Sequence, residues 1–396
     1  MNTLQGEKID KPDIDIDKIK NPPTVTIVYY EGTRNLTVED AMAVVNTENP
    51  TAKITVEGFA KGDKISEVRL YHNNKLVSTG TRNLTVEDDS PIETKKIFNL
   101  TLLEGENIFR AVALNSQNTE SAPQEISVEY KPKKEEIIIP AGIQLHLMVV
   151  GIDNYKNPKY NLNYAVADAN GFKNAIDAGM KTITSNVNNY YIKDSEANKE
   201  KILQTFKEIS LKANPQDVFI FYYAGHGMMT SDENKTFYLV PHDVTQIYGA
   251  DESIDQKGIS AELLKDLSAS IPAQKQLYIL DAWQSAGALS AISSRGAAEE
   301  KAIAQLGRST GTHWLTASGS EQFATEFDEL GHGVFTYVLL QALSGKADSG
   351  DGRITVNELK AYLESQVPEG SGKYRGSAQY PASFGFGQDF PVGVKN

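Results

Sequence analysis

The hydrophobic pattern of the chain changes near residue 140, and this change most limits how the chain can fold. From Thr24 to Tyr130 the apolar residues form short β-branched or aromatic runs, most of which alternate with polar residues. Such runs, separated by turn signals, predict an antiparallel β-sandwich over residues 24–130. The predicted strands cover 24–30, 52–60, 66–73, 95–103, 106–114 and 124–130, and the turn signals are Lys61-Gly62-Asp63, Asn73-Asn74 and Glu104-Gly105.

After Pro140 the pattern is that of an alternating α/β protein. The runs 143–152 and 217–227 are almost continuously apolar, as parallel strands buried on both faces require. Segments with helical spacing separate the strands, so we expect a mainly parallel sheet with helices on both faces. The predicted strands are 143–152, 217–227, 276–283 and 312–318, and the predicted helices are 164–179, 198–213, 259–270 and 334–345.

Two connecting segments complete the predicted domain plan. Residues 1–23 are polar and contain Pro12, Pro22 and Pro23, which is typical of a flexible leader. Residues 131–140 form a charged linker, and the second domain covers 141–392. A length of 396 residues fits two domains better than a single core.

The composition argues against several classes of function. A formal net charge of −13 gives a surface that repels phosphate, so we expect no nucleic-acid partner. No run approaches the roughly 18 apolar residues of a membrane span, and no signal-peptide core is visible, so we expect no membrane partner and a cytoplasmic location. The chain contains no cysteine, which excludes disulfides, thiolate metal sites and a cysteine nucleophile.

One nine-residue segment, GTRNLTVED, occurs twice, at 32–40 and at 80–88. A local duplication that gives two equivalent hairpin strands would explain it. Alternatively, the two copies present the same surface for a ligand or a partner protein twice. The sequence leaves both interpretations open.

Polar and small residues follow two of the buried strands where each strand ends. Tyr222-Tyr223-Ala224-Gly225-His226-Gly227 ends the first, and the segment 280–287 (LDAWQSAG) ends the second. Chemistry in parallel sheets collects at the carboxyl ends of the strands. An imidazole there, between glycines that allow a sharp turn, could act as a general base near neutral pH, although a lone histidine is more often structural.

These two strand ends resemble those of the caspase and metacaspase superfamily. Its members have a strand that ends in His-Gly, and the next core strand ends in Asp-x-Cys-x-Ser-Gly or a close variant. The segments LHLMVVGIDNYKNPKYNLNYAVADANGF (145–172), GTHWLTASGSEQFATEF (311–327) and GHGVFTYVLLQAL (331–343) extend the resemblance. It implies an α/β caspase-hemoglobinase-like sandwich over residues 141–392, as in bacterial members. In the first domain, NLTLLEGENIFRAVALN (99–115) resembles bacterial immunoglobulin-like modules.

The resemblance also implies roles for individual residues. His226 matches the catalytic base, and the backbone N–H of Gly227 would help the N–H of residue 283 to bind an oxyanion. Asp168 and Asp281 match the acidic P1 pocket of metacaspases, which implies a protein or peptide substrate with Arg or Lys at P1. The alternatives are that Asp168 is a helix residue at a solvent edge and that Asp281 caps a turn.

The chain departs from the family at the nucleophile, where Trp283 replaces cysteine. An indole cannot attack a peptide carbonyl, and Ser285 lies two residues away, so we expect no peptidase activity from the chain as written. One explanation is an engineered Cys→Trp change that traps an inactive form, which the intact motifs favour. The other is a natural pseudopeptidase that binds or signals without cutting, and whose β-sandwich recruits a partner protein.

Two further segments carry hypotheses. Residues 287–311 are small and polar, and the resemblance makes them a flexible linker that could be cut after Arg295, Lys301 or Arg308. The alternative is an ordinary mobile loop that is not cut. Residues 347–358 (ADSGDGRITVNE) resemble a calcium-binding EF-hand loop whose first ligand position falls on Ala347. Because that ligand is missing, the segment is better explained as a turn that opens the next helix. We expect no cofactor, and calcium is the one metal ion that the sequence suggests.

Overall fold

The structure is a computed structural model, and eleven ranges of the chain are described in it. They are 20–31, 34–37, 44–77, 84–89, 92–131, 142–230, 236–247, 251–284, 295–317, 331–375 and 379–395. Most of the predicted leader and nearly all of the predicted linker lie outside these ranges, as does Ser285.

The first part of the chain folds into two five-stranded sheets. Its strands are β1 (Thr24–Glu31), β2 (Arg34–Thr37), β3 (Val44–Thr47), β4 (Thr51–Phe59), β5 (Ile65–His72), β6 (Lys75–Leu76), β7 (Leu84–Asp89), β8 (Glu93–Thr101), β9 (Gly105–Asn115) and β10 (Gln124–Tyr130). The sheet orders are β2-β1-β4-β8-β7 and β3-β10-β9-β5-β6. Ile54 and Phe98 of the first sheet share one core with Leu70 and Phe109 of the second. We call this part the β-sandwich; its immunoglobulin-like identity stays a prediction.

The second part is built on a mainly parallel sheet of eight strands. In chain order its elements are β11 (Gln144–Gly151), α1 (Ala165–Met180), β12 (Asn186–Lys193), α2 (Lys199–Lys212), β13 (Val218–Met229), β14 (Phe237–Leu239), α3 (Asp251–Lys257), β15 (Ile259–Ser260), α4 (Ala261–Ser270), β16 (Lys275–Gln284), α5 (Arg295–Thr310), β17 (His313–Thr316), α6 (Val334–Gln341), β18 (Arg353–Thr355), α7 (Val356–Arg375), β19 (Ala382–Gly385) and β20 (Pro391–Val394). The order is β12-β11-β13-β16-β17-β19, with β14 paired to β13 and to β15.

Both faces of this sheet are covered by helices. Alternate residues of β13 pack into two separate cores, Phe219 and Phe221 into one and Ile220 and Tyr222 into the other. Helices α2, α4 and α5 contribute to the first core, and α1, α6 and α7 contribute to the second. The double coverage explains why the strand sequences are almost continuously apolar, and it confirms the predicted α/β sandwich. Within the described ranges, no helix has the length and apolar composition needed to cross a membrane.

Two elements differ from the sequence predictions. Strand β12 was not predicted, because its sequence NVNNYYIK is mostly polar and the strand lies at the edge of the sheet. The expectation of a flexible linker over 287–311 is wrong for residues 295–310, which form helix α5. Ile303 and Leu306 of this helix are buried, and this burial accounts for its formation.

The β-sandwich docks on the second part through the tip of the β5–β6 hairpin. Asn73 and Asn74 adopt positive φ values of 50° and 70°, as a tight two-residue hairpin turn requires. Asn73 Nδ2 donates to Gln274 Oε1 at 2.9 Å, and the buried Lys75 ammonium donates to the carbonyls of Ala269 and Ile271 at the end of α4. A cation there is favoured by the helix dipole. Burial nevertheless lowers the pKa of Lys75 to about 7.

The two parts also approach each other closely at Gly311, which has a φ of 67°. A Cβ atom built there would lie 1.5 Å from the carbonyl oxygen of Asn74, so no side chain fits while the parts are docked. We expect Gly311→Ala to separate the β-sandwich from the sheet domain. Small-angle X-ray scattering should then show a larger radius of gyration.

Gly62→Ala is the matched control, because Gly62 has a φ of 74° and no atom within 4 Å of a built Cβ. That variant should lose about 1–2 kcal/mol from backbone strain and keep the parental radius of gyration. Equal radii for the two variants would contradict the docking described above.

Candidate active site

The two strand ends singled out in the sequence lie side by side. Strands β13 and β16 pair in parallel, with His226 as the Cα partner of Trp283 and Ala224 as the partner of Asp281. Register partners belong to the same face of a sheet, so positions 226 and 283 share one face at the carboxyl ends of their strands. The side chain of Trp283 is outside the described part of the structure.

Two tyrosines from the segment after β11 hold His226 in place. Its Nε2 lies 2.8 Å from the carbonyl oxygen of Tyr160, and its backbone N–H donates to the hydroxyl of Tyr155 at 2.8 Å. Because a carbonyl oxygen only accepts hydrogen bonds, Nε2 carries the proton of the neutral ring and Nδ1 is the basic nitrogen. Neither tyrosine was among the predicted site residues, although two aromatic residues in the polar segment 153–163 were a usable signal.

The glycines beside His226 have a different role from the predicted one. Strand β13 continues to Met229, so the expectation that it breaks at these glycines in a sharp turn is wrong. A Cβ atom at Gly225 would lie 2.8 Å from the Tyr155 hydroxyl, and one at Gly227 would lie 3.1 Å from the Phe237 ring. The glycines therefore fit because the packing is close: a side chain at Gly225 would require Tyr155 or Tyr223 to shift, and one at Gly227 would press on Phe237.

Asp281 is fully buried in strand β16. Its Oδ2 accepts a hydrogen bond from the Thr336 hydroxyl at 2.6 Å, and the Tyr222 hydroxyl lies 2.7 Å from that same hydroxyl. Its Oδ1 has no hydrogen-bond partner among the described residues. The alternative that Asp281 caps a turn is wrong, because the residue lies inside the strand.

Asp168 lies in the first turn of α1 and is only 2% exposed, so the alternative of a helix residue at a solvent edge is wrong. Its Oδ1 accepts from His332 Nδ1 at 2.8 Å, and both carboxylate oxygens lie 3.2 Å from the backbone N–H of Gly333. Gly333 precedes α6, so this carboxylate also stabilises the N-terminus of that helix.

The two carboxyl groups are close enough to affect each other's ionisation. Burial, and then the charge of Asp168, raise the pKa of Asp281 to about 8. Burial also raises the pKa of Asp168, to about 6, and the hydrogen bonds and charge supplied by His332 and Gly333 oppose that increase. The pair therefore keeps one proton at neutral pH, because two buried negative charges repel each other.

Three residues of this cluster, Tyr222, His332 and Thr336, were not among the predicted site residues. Tyr222 was in the quoted YYAGHG end of β13, and the other two were in the quoted segment GHGVFTYVLLQAL. These residues are far apart in the sequence, and their positions did not indicate that their side chains lie close together. Only the packing of α6 against the face that carries Asp281 brings them together.

The proposed cleavage positions fall on α5. Lys301 and Arg308 lie within this helix, and Arg295 is its first residue. A peptide bond inside a helix cannot enter a protease cleft without unfolding, so processing at Lys301 or Arg308 does not fit the structure. Arg295 stays a hypothesis.

In the EF-hand-like segment, the carboxylates of Asp348, Asp351 and Glu358 lie within 4.8 Å of one another. Asp348 Oδ1 accepts from the backbone N–H groups of Gly350 and Gly352, at 2.8 and 3.0 Å. Asp348 Oδ2 lies 3.3 Å from the Lys395 ammonium, which supplies a cation from the chain itself. These contacts fit the predicted turn before α7, and calcium remains a hypothesis from the sequence.

The fold and the site together define an α/β domain of the cysteine-peptidase type. The family model of the caspase domain matches residues 145–384, well over half of the chain, so the chain belongs to the caspase domain family. No curated protein matches the sequence.

Two of the solved structures that are similar to the chain have TM-scores below 0.5. A protein from Geobacter sulfurreducens is 14% identical and has a TM-score of 0.43; the match covers 64% of this chain and 97% of that one. The fibronectin(III)-like modules of CbhA from Clostridium thermocellum are 19% identical with a TM-score of 0.20, over 30% of this chain and 50% of that one. Scores at this level carry no argument about fold or function.

The raised pKa of Asp281 predicts how stability depends on pH. The folded protein keeps a proton that the unfolded chain releases above about pH 4, so this group lowers stability progressively as the pH rises from about 4 to about 8. Asp281→Asn should therefore increase the free energy of unfolding by about 1 kcal/mol or more at pH 8. The gain should vanish near pH 4.

Urea unfolding across this pH range measures the difference. Asp177→Asn is the control, because Asp177 forms a partly exposed ion pair with Lys173 that contributes little. A gain for Asp281→Asn that is the same at all pH values would contradict the proposed burial of an ionisable pair.

Proposed function

We propose that this domain recognises polypeptides with Arg or Lys at P1 and that a cysteine at position 283 would make it an endopeptidase. The observation that carries the proposal is the buried pair of Asp168 and Asp281, with no cationic side chain of the chain paired to Asp281 among the described residues. Two buried carboxyl groups of this kind can both ionise only beside a cation, and a guanidinium or ammonium group of a substrate supplies one.

The surroundings of His226 support the second half of the proposal. The Tyr160 carbonyl fixes the Nε2–H tautomer, so Nδ1 would take the proton from a thiol at position 283. The thiolate would attack the carbonyl carbon of the P1 residue, and the N–H groups of Gly227 and residue 283 would stabilise the oxyanion. His226 would then protonate the leaving amine, and water would hydrolyse the acyl-thioester.

With Trp283 the same steps cannot begin. An indole N–H is neither nucleophilic nor acidic enough to form the covalent intermediate, and no cysteine exists elsewhere in the chain. We therefore propose that the chain as written is inactive while its acidic pocket stays competent to bind a cation. An engineered Cys→Trp change and a natural loss of the nucleophile both fit this proposal.

Replacing Trp283 by cysteine tests the peptidase proposal directly. We expect Trp283→Cys to cleave fluorogenic peptides that end in Arg or Lys, and the parent chain to give no signal above background. Adding His226→Ala should lower kcat about 100-fold or more, because general-base catalysis contributes a factor of that size. Adding Asp281→Asn should instead raise KM for these peptides much more than it lowers kcat.

Two results would contradict the proposal. If Trp283→Cys folds like the parent but cleaves none of these peptides, a cysteine at position 283 is not sufficient to make the domain a peptidase. If it cleaves after aspartate or after apolar residues equally well, the acidic pair does not select P1.

A second function, that of a natural pseudopeptidase acting as a scaffold, is favoured by the position of the repeated segment. Part of its first copy forms β2 and part of its second forms β7, and these are the two edge strands of the same sheet. Edge strands have unpaired backbone groups that can bind another chain. One partner protein could therefore meet the same sequence at either edge of the β-sandwich.

Binding experiments on the chain as written separate the two functions. A peptide with a C-terminal arginine should bind, and Asp281→Ala should abolish that binding, if the pocket is the functional element. A scaffold that acts only through its β-sandwich should instead capture its partner equally well with and without Asp281→Ala. Isothermal titration measures both affinities: that of the peptide for the pocket, and that of a purified partner protein for the β-sandwich.

A further inference from the structure

A cleft runs between the β-sandwich and helix α5, beside the docked β5–β6 hairpin. It consists of a cavity of about 290 Å³ and a groove of about 820 Å³, and the two adjoin because Glu120 and Arg308 line both of them. Asp168, His226 and Asp281 line neither space. The cleft is therefore separate from the candidate active site.

Some of the charged residues in the cleft neutralise one another. Glu67 lies 2.7 Å from the Arg69 guanidinium and 2.9 Å from the Lys265 ammonium. Glu120 lies 3.3 Å from the same guanidinium. These two cations and two carboxylates form a network without net charge. Because the network joins the β-sandwich to α4, it contributes to the docking of the two parts and offers no free charge to a ligand.

The charged residues left over are mainly cations. Arg110, Lys301 and Arg308 line the cleft and form no ion pair with a residue in the described part of the chain, and Glu262 is the one carboxylate left over there. Three cations against one carboxylate leave a surplus of positive charge in a chain whose formal net charge is −13. The remaining surface therefore repels an acidic ligand, and the cleft attracts it.

Two aromatic rings support the guanidinium groups at the cavity. The guanidinium carbon of Arg110 lies 4.4 Å from the centre of the Tyr71 ring, and that of Arg308 lies 5.9 Å from the centre of the Phe386 ring. A guanidinium that lies over a ring keeps the N–H groups at its edge free, and these match the two oxygens of a carboxylate. The cavity is close to the lower limit of ligand pockets, about 300 Å³, so it suits one acidic side chain.

The groove extends this site along α5. Lys301 precedes Arg308 by seven residues, or two helical turns, so the two exposed cations lie on one face with their Cα atoms about 10 Å apart. An extended polypeptide covers that distance in about three residues. A polypeptide with several acidic side chains can therefore contact both cations at once, whereas a small anion contacts one end of the groove.

We propose that the cleft between the β-sandwich and α5 binds an acidic polypeptide, with one carboxylate in the cavity lined by Arg110 and Arg308 and another beside Lys301. The partner is a protein segment rich in aspartate or glutamate. This interaction requires neither a cysteine at position 283 nor the acidic pocket. Because Arg110 belongs to the β-sandwich and Arg308 to α5, the bound segment would hold the two parts together.

The test measures binding of the peptide acetyl-Glu-Ala-Glu-Ala-Glu-amide to the parent chain by isothermal titration. At about 0.1 M salt, charges more than about 10 Å away are largely screened. Arg110→Gln and Arg308→Gln should each weaken binding about tenfold, because each removes charged hydrogen-bond donors from a carboxylate. Arg353→Gln is the matched control, since Arg353 is exposed on β18 outside the cleft, and it should change the affinity less than about twofold. The same peptide with glutamine in place of glutamate should not bind.

A second pair of variants tests whether both parts of the chain are needed. Gly311→Ala, which we expect to undock the β-sandwich, should abolish binding of the glutamate peptide. Gly62→Ala should leave the affinity unchanged, because a Cβ atom there meets no other atom within 4 Å. Small-angle X-ray scattering on the same samples establishes whether each variant is docked, and circular dichroism establishes that it is folded.

Several results would overturn the proposal. If the parent does not bind the glutamate peptide, if the glutamine peptide binds equally well, or if Arg353→Gln weakens binding as much as Arg308→Gln, the cleft does not recognise acidic side chains. If Arg110→Gln has no effect, or if an undocked Gly311→Ala chain still binds, the β-sandwich is not part of the site. If free succinate displaces the peptide at a concentration equal to the peptide's Kd, the ligand is a small dicarboxylate and not a polypeptide.

Discussion

The parallel pairing of β13 with β16 is the interaction on which the rest of the site depends. Residues from Val218 to Gly227 have continuous Cα partners from Lys275 to Gln284. Since both strands are buried on both faces, their backbone groups have to be satisfied within the sheet, which holds the register firmly. A slip of one residue would move either His226 or position 283 to the opposite face. The register therefore fixes the neighbours of any nucleophile at that position.

The same register also buries a carboxyl group, which costs stability. Asp281 is the partner of Ala224, two residues before His226, so the face that carries His226 also buries a carboxyl group. Helix α6 reduces this cost through the Thr336 hydroxyl, and Asp168 in turn binds the N-terminus of α6. These contacts satisfy three of the four carboxylate oxygens, and Oδ1 of Asp281 is left over. A cluster that is incomplete in this way adds little stability, and the unpartnered oxygen agrees with the proposed cation pocket.

The sequence was sufficient for the architecture because the patterns were strong. Buried strands such as 143–152 and 217–227 and the change of period near residue 140 determine an α/β sandwich. The neighbourhood of His226 and position 283 followed from the family motifs. Residues whose roles depend on long-range packing could not be foreseen: Tyr160 acts through a backbone carbonyl, which has no sequence signature, and His332 meets Asp168 across 164 residues.

The predictions that failed have a common physical cause. The glycines beside His226 were predicted to allow a sharp backbone turn. Their role is instead steric: Tyr155 and Phe237 lie where a Cβ atom would be. Likewise, α5 was interpreted as a flexible linker because its sequence is small and polar, but a few buried residues such as Ile303 hold it as a helix. A local sequence indicates the intrinsic conformational preference of a segment. Tertiary contacts made by a few buried side chains can override that preference.

The tight construction around His226 and the buried carboxyl pair favours the proposed binding function over a cleft that only has to fold. Gly225 and Gly227 have no space for side chains, Tyr155 and Tyr160 hold the imidazole, and the paired carboxyl groups of Asp168 and Asp281 lower stability near neutral pH. None of these features is required by a sheet that only has to fold, since an apolar residue at 281 would be less costly there. A cleft without function would be free to lose them. Their presence together supports the proposal that the site still binds a ligand.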